Sequence, residues 1–378
     1  MCLKLPKNAY IKTFNVYTCE DLTMTWCCNR QICTLPLVSV SSLPCKAFPV
    51  FSRRGQRIPR AKTLVYSTPI HSDNISRDGI ESMGANAGVV AYQGVPGAYS
   101  EMAANQACPG FETLPCEQFD IAFESLSQWA ADRAVLPVEN SLGGSIHAVY
   151  DLLHRYKLHI VGETFVAVDH CLLALPGVDM KDIKKVMSHP QALAQTQEYT
   201  RRMGVIRQEF DDTAGAAKMI AECQLRDCAA IASIKAAELY GLNVLDRSIQ
   251  DTKGNITRFV VLSREPTMAL GTRPSDDYKT SIVFSLNEGP GVLFKALSVF
   301  ALRDITLTKI ESRPLRASPL VSADFDDEMK GSSGFNYLFY IDFIGSLHDD
   351  NGRNALRNLE EFAKFVRVIG SYPRDLDH

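Results

Sequence analysis

Val89-Val90-Ala91-Tyr92, then Gly94-Val95-Pro96-Gly97, then a helix-forming run from Ala98 to Ala107 is the stretch that decides the fold. Four apolar residues are too few for a buried helix and suit a buried strand, and two glycines around Val-Pro make a tight turn. The unit recurs. Ala134-Val135-Leu136-Pro137-Val138 leads through a polar run, Glu139-Asn140-Ser141-Leu142-Gly143-Gly144-Ser145, into a helix from Ile146 to His154. Thr164 to Leu175 reads as one longer strand. Lys185-Val186-Met187 runs into Ser188-His189-Pro190-Gln191 and a helix, Asp211-Asp212-Thr213 caps a helix over 214–222, and Ala229-Ala230-Ile231-Ala232 precedes a helix over 234–240. Strand, polar turn and helix in repetition is the mark of an α/β domain with a largely parallel sheet. Such domains bind ligands at the carboxyl ends of their strands, where every one of these polar runs falls.

The pattern changes after a Pro- and Gly-containing linker at 265–278, which ends a first domain spanning 88–264. Strands are expected over 279–286, 305–313, 337–343 and 366–372, with helices over 292–302 and around Leu356, Leu359 and Phe362. Tyr337, Phe339, Ile341 and Phe343 alternate with Leu338, Tyr340 and Asp342, as a strand requires. The order βαββαβ is the ferredoxin-like plan, placed at 279–373.

The chain has 378 residues, a formal charge of −3 and 46% hydrophobic residues. It contains no apolar run long enough for a membrane helix, and its charge gives no reason to expect nucleic acid as a partner. Before residue 70 the only acids are Glu20 and Asp21, against ten Lys and Arg. An acid-poor, Arg- and Ser-containing segment of this kind is expected to be an organelle transit peptide over about residues 1–80. Six of the eleven cysteines lie there, and the others show no zinc-like spacing, so free thiols are expected.

Candidate chemistry centres on Thr257-Arg258-Phe259, a hydroxyl, a fixed cation and a ring at the head of an apolar strand. Helix starts after Gly97, near Gly143–Ser145, after Ser188 and at Thr213 offer unsatisfied N–H groups to a carboxylate. Ser, Asp and His at such places also serve simply as caps, and His189 is expected to do so. No metal spacing, P-loop, Rossmann fingerprint or Ser-His-Asp motif is found, so the chemistry is expected to need no metal and no cofactor.

These motifs resemble the prephenate and arogenate dehydratase family over essentially everything after residue 88. The residues that carry the resemblance are Gly94 to Glu101, Leu136 to Ser141, Ser188 to Gln191, Asp212 to Ala214 and Thr257 to Phe259, with Gly289 to Leu293 and Glu311 to Pro314 in the second domain. The transit-like extension and the run Gly94 to Ser100 are similar to the plant, plastid-type enzymes. The resemblance implies a catalytic domain with two lobes, like a type II periplasmic binding protein, followed by an ACT regulatory domain. It implies a plastid (chloroplast) lyase that converts L-arogenate to L-phenylalanine, with Thr257 as proton donor and Glu139, Ser188 and Gln195 as further catalytic residues. Arg258, Phe259, Asn140, Ser141, Ser100 and Thr213 are implied substrate contacts. Ala98 departs from the hydroxyl residue that many microbial members carry there. Gly291, Val292, Leu293, Glu311, Ser312, Arg313 and Pro314 are implied to bind phenylalanine as an effector. Pairing of such domains implies a homo-oligomer, and deletion of residues 280–378 is expected to leave a catalyst that phenylalanine no longer affects. Two other readings remain open at this stage: a prephenate dehydratase forming phenylpyruvate, and a non-catalytic aromatic-acid sensor on the same fold.

Overall fold

The computed structural model describes residues 88–266, 274–315 and 336–376. The expected transit segment lies outside the described residues, as do residues 267–273 of the linker. The chain begins with β1 (Val89–Gln93), α1 (Tyr99–Ala107), β2 (Glu112–Cys116), α2 (Phe119–Ser127), β3 (Arg133–Asn140), a two-residue β4 (Gly144–Ser145), α3 (His147–Tyr156) and β5 (His159–Ala167). It crosses to a second sheet with β6 (Cys171–Ala174), β7 (Lys185–Ser188), α4 (Pro190–Gln195), α5 (Gln197–Met203), β8 (Ile206–Glu209), α6 (Thr213–Cys223), β9 (Cys228–Ala232), α7 (Ile234–Tyr240) and β10 (Asn243–Asp246). It returns to the first sheet with β11 (Ile256–Ser263). A third sheet follows, from β12 (Tyr278–Leu286), α8 (Val292–Ala301), β13 (Leu307–Leu315), β14 (Asn336–Ile344), α9 (Asp350–Glu360) and β15 (Ala363–Pro373).

The strand orders are β2-β1-β3-β11-β5 in lobe 1, β10-β6-β9-β7-β8 in lobe 2 and β13-β14-β12-β15 in the C-terminal domain. Two expectations change. The strand expected over 164–175 is two strands in different lobes, and the break at 168–170 is the first crossing. Each lobe sheet is also mixed, because the returning β11 runs antiparallel to both β3 and β5, and β6 runs antiparallel to β9 and β10. Here the returning strand enters lobe 1 in the reverse sense, and local apolar patterning carries no trace of that.

The third sheet has the expected βαββαβ order. Its central strands are buried on both faces, and the alternation in β14 explains how. Phe339, Ile341 and Phe343 pack with Ile282, Phe284, Val299 and Phe300 beneath α8 and α9. Leu338 and Tyr340 point the other way and join Val283, Ile369 and Tyr372 in one apolar cluster with Leu136, Val149, Leu153 and Val260 of lobe 1. Burying each aliphatic side chain is worth about 1.5–3 kcal/mol. Three of them, Val283, Leu338 and Ile369, together approach the whole stability of an ordinary domain. At Gly370 the main chains touch: a Cβ there would lie 2.1 Å from the Ile160 carbonyl oxygen. The C-terminal domain is therefore welded to lobe 1. Among the described residues no helix is long and apolar enough to cross a membrane. Five described cysteines are free, four of them buried.

Candidate active site

Thr257 lies at the head of β11, between the lobes, with only 7% of its surface exposed. Its partners depend on an irregularity in the neighbouring strand. Along β3, Leu136 and Val138 point into the cluster shared with the C-terminal domain. Strict alternation would send Asn140 the same way and Glu139 into the cleft. The β3–β11 register instead shifts between Arg258 and Phe259, so Glu139 pairs with Arg258 and Asn140 with Thr257. A bulge of this kind re-aims the side chains beyond it. Asn140 enters the cleft and Glu139 leaves it.

Asn140 then organises the site. Its Nδ2 donates to Thr257 Oγ1 at 2.9 Å and to Asn255 Oδ1 at 2.7 Å. Its Oδ1 accepts from the backbone N–H of Leu142 and Gly143. Gln191 Nε2 approaches the same oxygen from lobe 2 at 3.4 Å. The Gln191 amide occupies the space beside Gly143, where a Cβ would lie 1.7 Å from its Nε2, so a side chain there would displace it from Asn140. The chain continues as Asn255 Nδ2 donates to Gln195 Oε1 at 3.0 Å, and that oxygen stands 2.9 Å from His170 Nε2. Burial lowers the pKa of His170, which favours its neutral form. The ring can then donate from Nε2, while Tyr99 OH lies 3.5 Å from Nδ1 and donates to the Asp169 carbonyl at 2.6 Å.

Because Thr257 Oγ1 accepts from Asn140, its own proton remains available to donate. The accepted bond also draws charge from the oxygen and makes a weak acid a better donor. Asn255 and His170 were not anticipated. Asn255 lies two residues before Thr257, so period-two spacing placed it on the same side. Nothing local marked His170.

The remaining candidates separate by position. Ser188 is fully buried and donates to the Ile231 carbonyl at 2.6 Å, so its hydroxyl joins the ends of β7 and β9 rather than facing a substrate. Phe259 is 2% exposed and packs with Tyr92, Val166 and Val261, which makes it an interior residue, not a substrate contact. Ser141 Oγ accepts from Ile256 N and holds the loop before β11. The start of α4 is capped by His189 Nδ1, as expected, and that of α6 by Asp212 beside Thr213. Burial raises the Asp212 pKa. The start of α1, with Ser100 in its first turn, carries no side-chain cap, although Glu101 accepts from Gly97 N at 2.7 Å. Among the described residues no three His, Cys, Asp or Glu are grouped to hold a metal ion.

Arg258 requires the largest correction. Neighbouring strand residues point to opposite faces, so it turns away from Thr257 toward the C-terminal domain. Its Nε donates to Glu163 at 2.8 Å, Nη1 to Asp342 at 2.6 Å and Nη2 to Tyr372 OH at 3.0 Å. Lys279 Nζ adds a 2.7 Å contact to Glu163. Burial alone would lower the Arg258 pKa, but Asp342, Tyr372 and Glu163 hold it above its usual value. The cavity beside Arg258 has a volume near 10 Å³. That is about the lower limit for one water, so no substrate carboxylate reaches this cation. Glu139 sits on the same side, 2.9 Å from Lys309 Nζ.

The expected effector residues divide by the same alternation. Glu311 contacts Ser145 and His147, and Arg313 Nη2 lies 2.8 Å from Asp151, so both face lobe 1 and neither pairs with the other. Ser312 and Pro314 are exposed. Gly291, at φ +72, caps the start of α8, with Val292 and Leu293 half-buried in its first turn.

The family model for prephenate dehydratase matches residues 90–267, which takes in both lobes. A chloroplastic arogenate dehydratase/prephenate dehydratase from Arabidopsis thaliana is 60% identical over 286 residues, which is 76% of this chain and 73% of that protein. Among solved structures, a prephenate dehydratase from Arthrobacter aurescens in complex with L-Phe matches with a TM-score of 0.65 and 31% identity, covering 76% of this chain and 90% of that one. GqqA, described as a novel type of quorum-quenching acylase, matches with the same TM-score and 36% identity, over 76% of this chain and 98% of its own. With that identity to a plant enzyme over nearly three quarters of its length, the chain belongs to the prephenate dehydratase family, among its arogenate dehydratases.

Proposed function

We propose that the protein converts L-arogenate to L-phenylalanine in the plastid, and that phenylalanine acts back on it through the C-terminal domain. The observation that carries the chemistry is the Asn140–Thr257 hydrogen bond inside the cleft. The substrate is a cyclohexadiene with a ring carboxylate and a hydroxyl at C4. The bond from the ring to the carboxylate breaks and its electrons complete the aromatic ring. The C4–O bond breaks with its pair, one proton joins the departing oxygen, and CO2 and water leave. Aromatisation supplies the driving force, so the protein must orient the two leaving groups and meet the charge on the oxygen. Thr257 donates to that oxygen while Asn140 holds its lone pair. Asn255, Gln195 and His170 keep Asn140 in place. The uncapped start of α1, with Ser100, is the proposed seat of a substrate carboxylate, and Thr213 and Ser141 border the same strand ends.

The C-terminal domain is proposed to be an ACT domain that takes phenylalanine at Gly291, Val292, Leu293 and the exposed Ser312. A backbone start at φ +72 lets the effector's carboxylate approach the α8 N–H groups closely. β13 is an edge of its sheet and exposes Ile310, which supports pairing with a second subunit there. Residues 1–80 are the proposed plastid address.

The test is purified protein given arogenate and prephenate separately, with the aromatic product followed. Arogenate should give phenylalanine with the higher kcat/KM, and faster turnover of prephenate to phenylpyruvate would replace the substrate assignment. Thr257→Val should fold normally and lose about 10²- to 10⁴-fold in kcat. A variant keeping more than half its activity would remove Thr257 from the acid role.

A further inference from the structure

We propose that Asp342 and Tyr372, in the C-terminal domain, are positioning residues for the dehydration step, acting through Arg258 to hold Thr257 in line. The inference rests on Thr257 being the donor to the departing oxygen.

Thr257 and Arg258 share a peptide plane and face opposite ways. Whatever fixes Arg258 therefore fixes the direction of the Thr257 hydroxyl. Three bonds leave the guanidinium in different directions, to Glu163 of lobe 1 and to Asp342 and Tyr372 of the C-terminal domain. A planar fork held at three points cannot turn. The holders are themselves held. Tyr372 OH lies 2.8 Å from Ser281 Oγ, Lys279 braces Glu163, and Thr308 Oγ1 reaches the Asp342 carbonyl. The small cavity leaves the guanidinium no second position.

The bulge gives these contacts a task. On the β5 side β11 pairs in register from Ile256 to Val261, but on the β3 side the register shifts beside Arg258, so only one neighbour gives the head of β11 a regular ladder. The side-chain cluster restores what the ladder lacks, immediately behind the reacting hydroxyl. A buried ion cluster is often no more stabilising than apolar packing of the same volume. Stability alone thus gives little reason for four charges here rather than more of the neighbouring apolar cluster. A displacement of 1 Å at a reacting group can cost about 10²-fold in rate. The cluster also gives the C-terminal domain a mechanical path to the chemistry, since Asp342 pairs across the sheet with Lys309 of β13, two residues from Glu311.

The experiment is a double-mutant cycle on the full chain. Tyr372→Phe should stay folded by circular dichroism and lose about 3- to 10-fold in kcat, with KM within about 2-fold, as for an interaction acting on the transition state. Asp342→Asn should lose about 10²-fold in the same way. Placed on Thr257→Val, Tyr372→Phe should cost nothing further, because the group it positions is gone. A merely structural role predicts the opposite: an unchanged kcat in the single variant, or the same fractional loss in both backgrounds, and either result overturns the proposal. If Asp342→Asn does not fold, Tyr372→Phe decides alone. Full activity of Thr257→Val would overturn the acid assignment and this inference with it. A dead Thr257→Val beside fully active, folded Tyr372→Phe overturns only the positioning role.

Discussion

The two faces of lobe 1 are built from opposite materials. The face turned to lobe 2 presents hydroxyls and amides: Thr257, Asn140, Asn255, with Gln191, Gln195 and His170 across the cleft. The face turned to the C-terminal domain presents charges: Arg258, Glu163 and Glu139, met by Lys279, Asp342 and Lys309. The chemistry needs a dry, directional donor and little net charge, and neutral amides supply that without a large desolvation cost. The charges serve where geometry must be held against an apolar partner sheet. Residues that look catalytic because they are charged were therefore the poorer guide to the cleft.

Removing the C-terminal domain should break this comparison most severely. Ending the chain at residue 266 strips the apolar cluster of Val283, Leu338, Tyr340, Ile369 and Tyr372 and leaves Arg258 facing water. The expectation that deletion leaves a working, phenylalanine-blind catalyst changes accordingly. The truncated chain should be aggregated or unfolded by size exclusion and circular dichroism. A soluble product with a tenth of the normal turnover would show that the interface is a mere contact.

Asn140→Asp is the next largest. It keeps the shape and the oxygen that accepts from Leu142 and Gly143 but replaces the donor to Thr257 with an acceptor. Thr257 should then donate to the new carboxylate instead of the substrate, at a cost of about 10²- to 10³-fold in kcat with the fold kept. Near-normal kcat would mean that Asn140 does not set the direction of the hydroxyl.

A matched pair of glycines sharpens the contrast between the faces. Gly370→Ala forces a Cβ onto the Ile160 carbonyl, a backbone atom that cannot retreat, and should cost about 1–3 kcal/mol in urea unfolding. Gly143→Ala meets chiefly the end of the Gln191 side chain, which can swing away, and comes within 3.3 Å of Asn140 Oδ1. Its stability should change by less than about 1 kcal/mol while kcat falls as the Gln191–Asn140 contact is lost. Equal stability losses would show that the cleft is packed as tightly as the interface.

The smallest effect concerns pH. Burial lowers the pKa values of His170 and His189. The unfolded chain takes up their protons first, so stability should fall as pH drops through about 6.5, by up to about 1.4 kcal/mol per group at one unit below. Asp342 behaves differently. Burial would raise its pKa, yet Arg258 holds it below the ordinary value. Its contribution is therefore present above about pH 3.9 and lost only as pH falls through the folded value. Urea midpoints at pH 7.5 and 5.5 should separate, and substituting His170 by Gln should narrow the gap. Coincident midpoints would contradict the account of neutral, buried histidines.

Much of this was legible in the sequence because it is local. Strand–turn–helix order announced the α/β lobes, and the change to βαββαβ announced the third sheet. The alternation over 337–343 announced a strand, while the covering of Leu338 and Tyr340 by lobe 1 became visible only in the assembled structure. The motifs named the family, and adjacency alone required Thr257 and Arg258 to point apart. What lay beyond the sequence depended on long-range register. Only the assembled sheet showed that Thr257, not Arg258, faces the cleft. A one-residue bulge between strands over a hundred residues apart turned Glu139 out and Asn140 in. The same holds for the two crossings between lobes, the chain of amides reaching His170 and the seat of the C-terminal domain on lobe 1. Side-chain direction follows from local period, but which face meets which partner is decided when distant segments pack, and burial and pairing are then settled together.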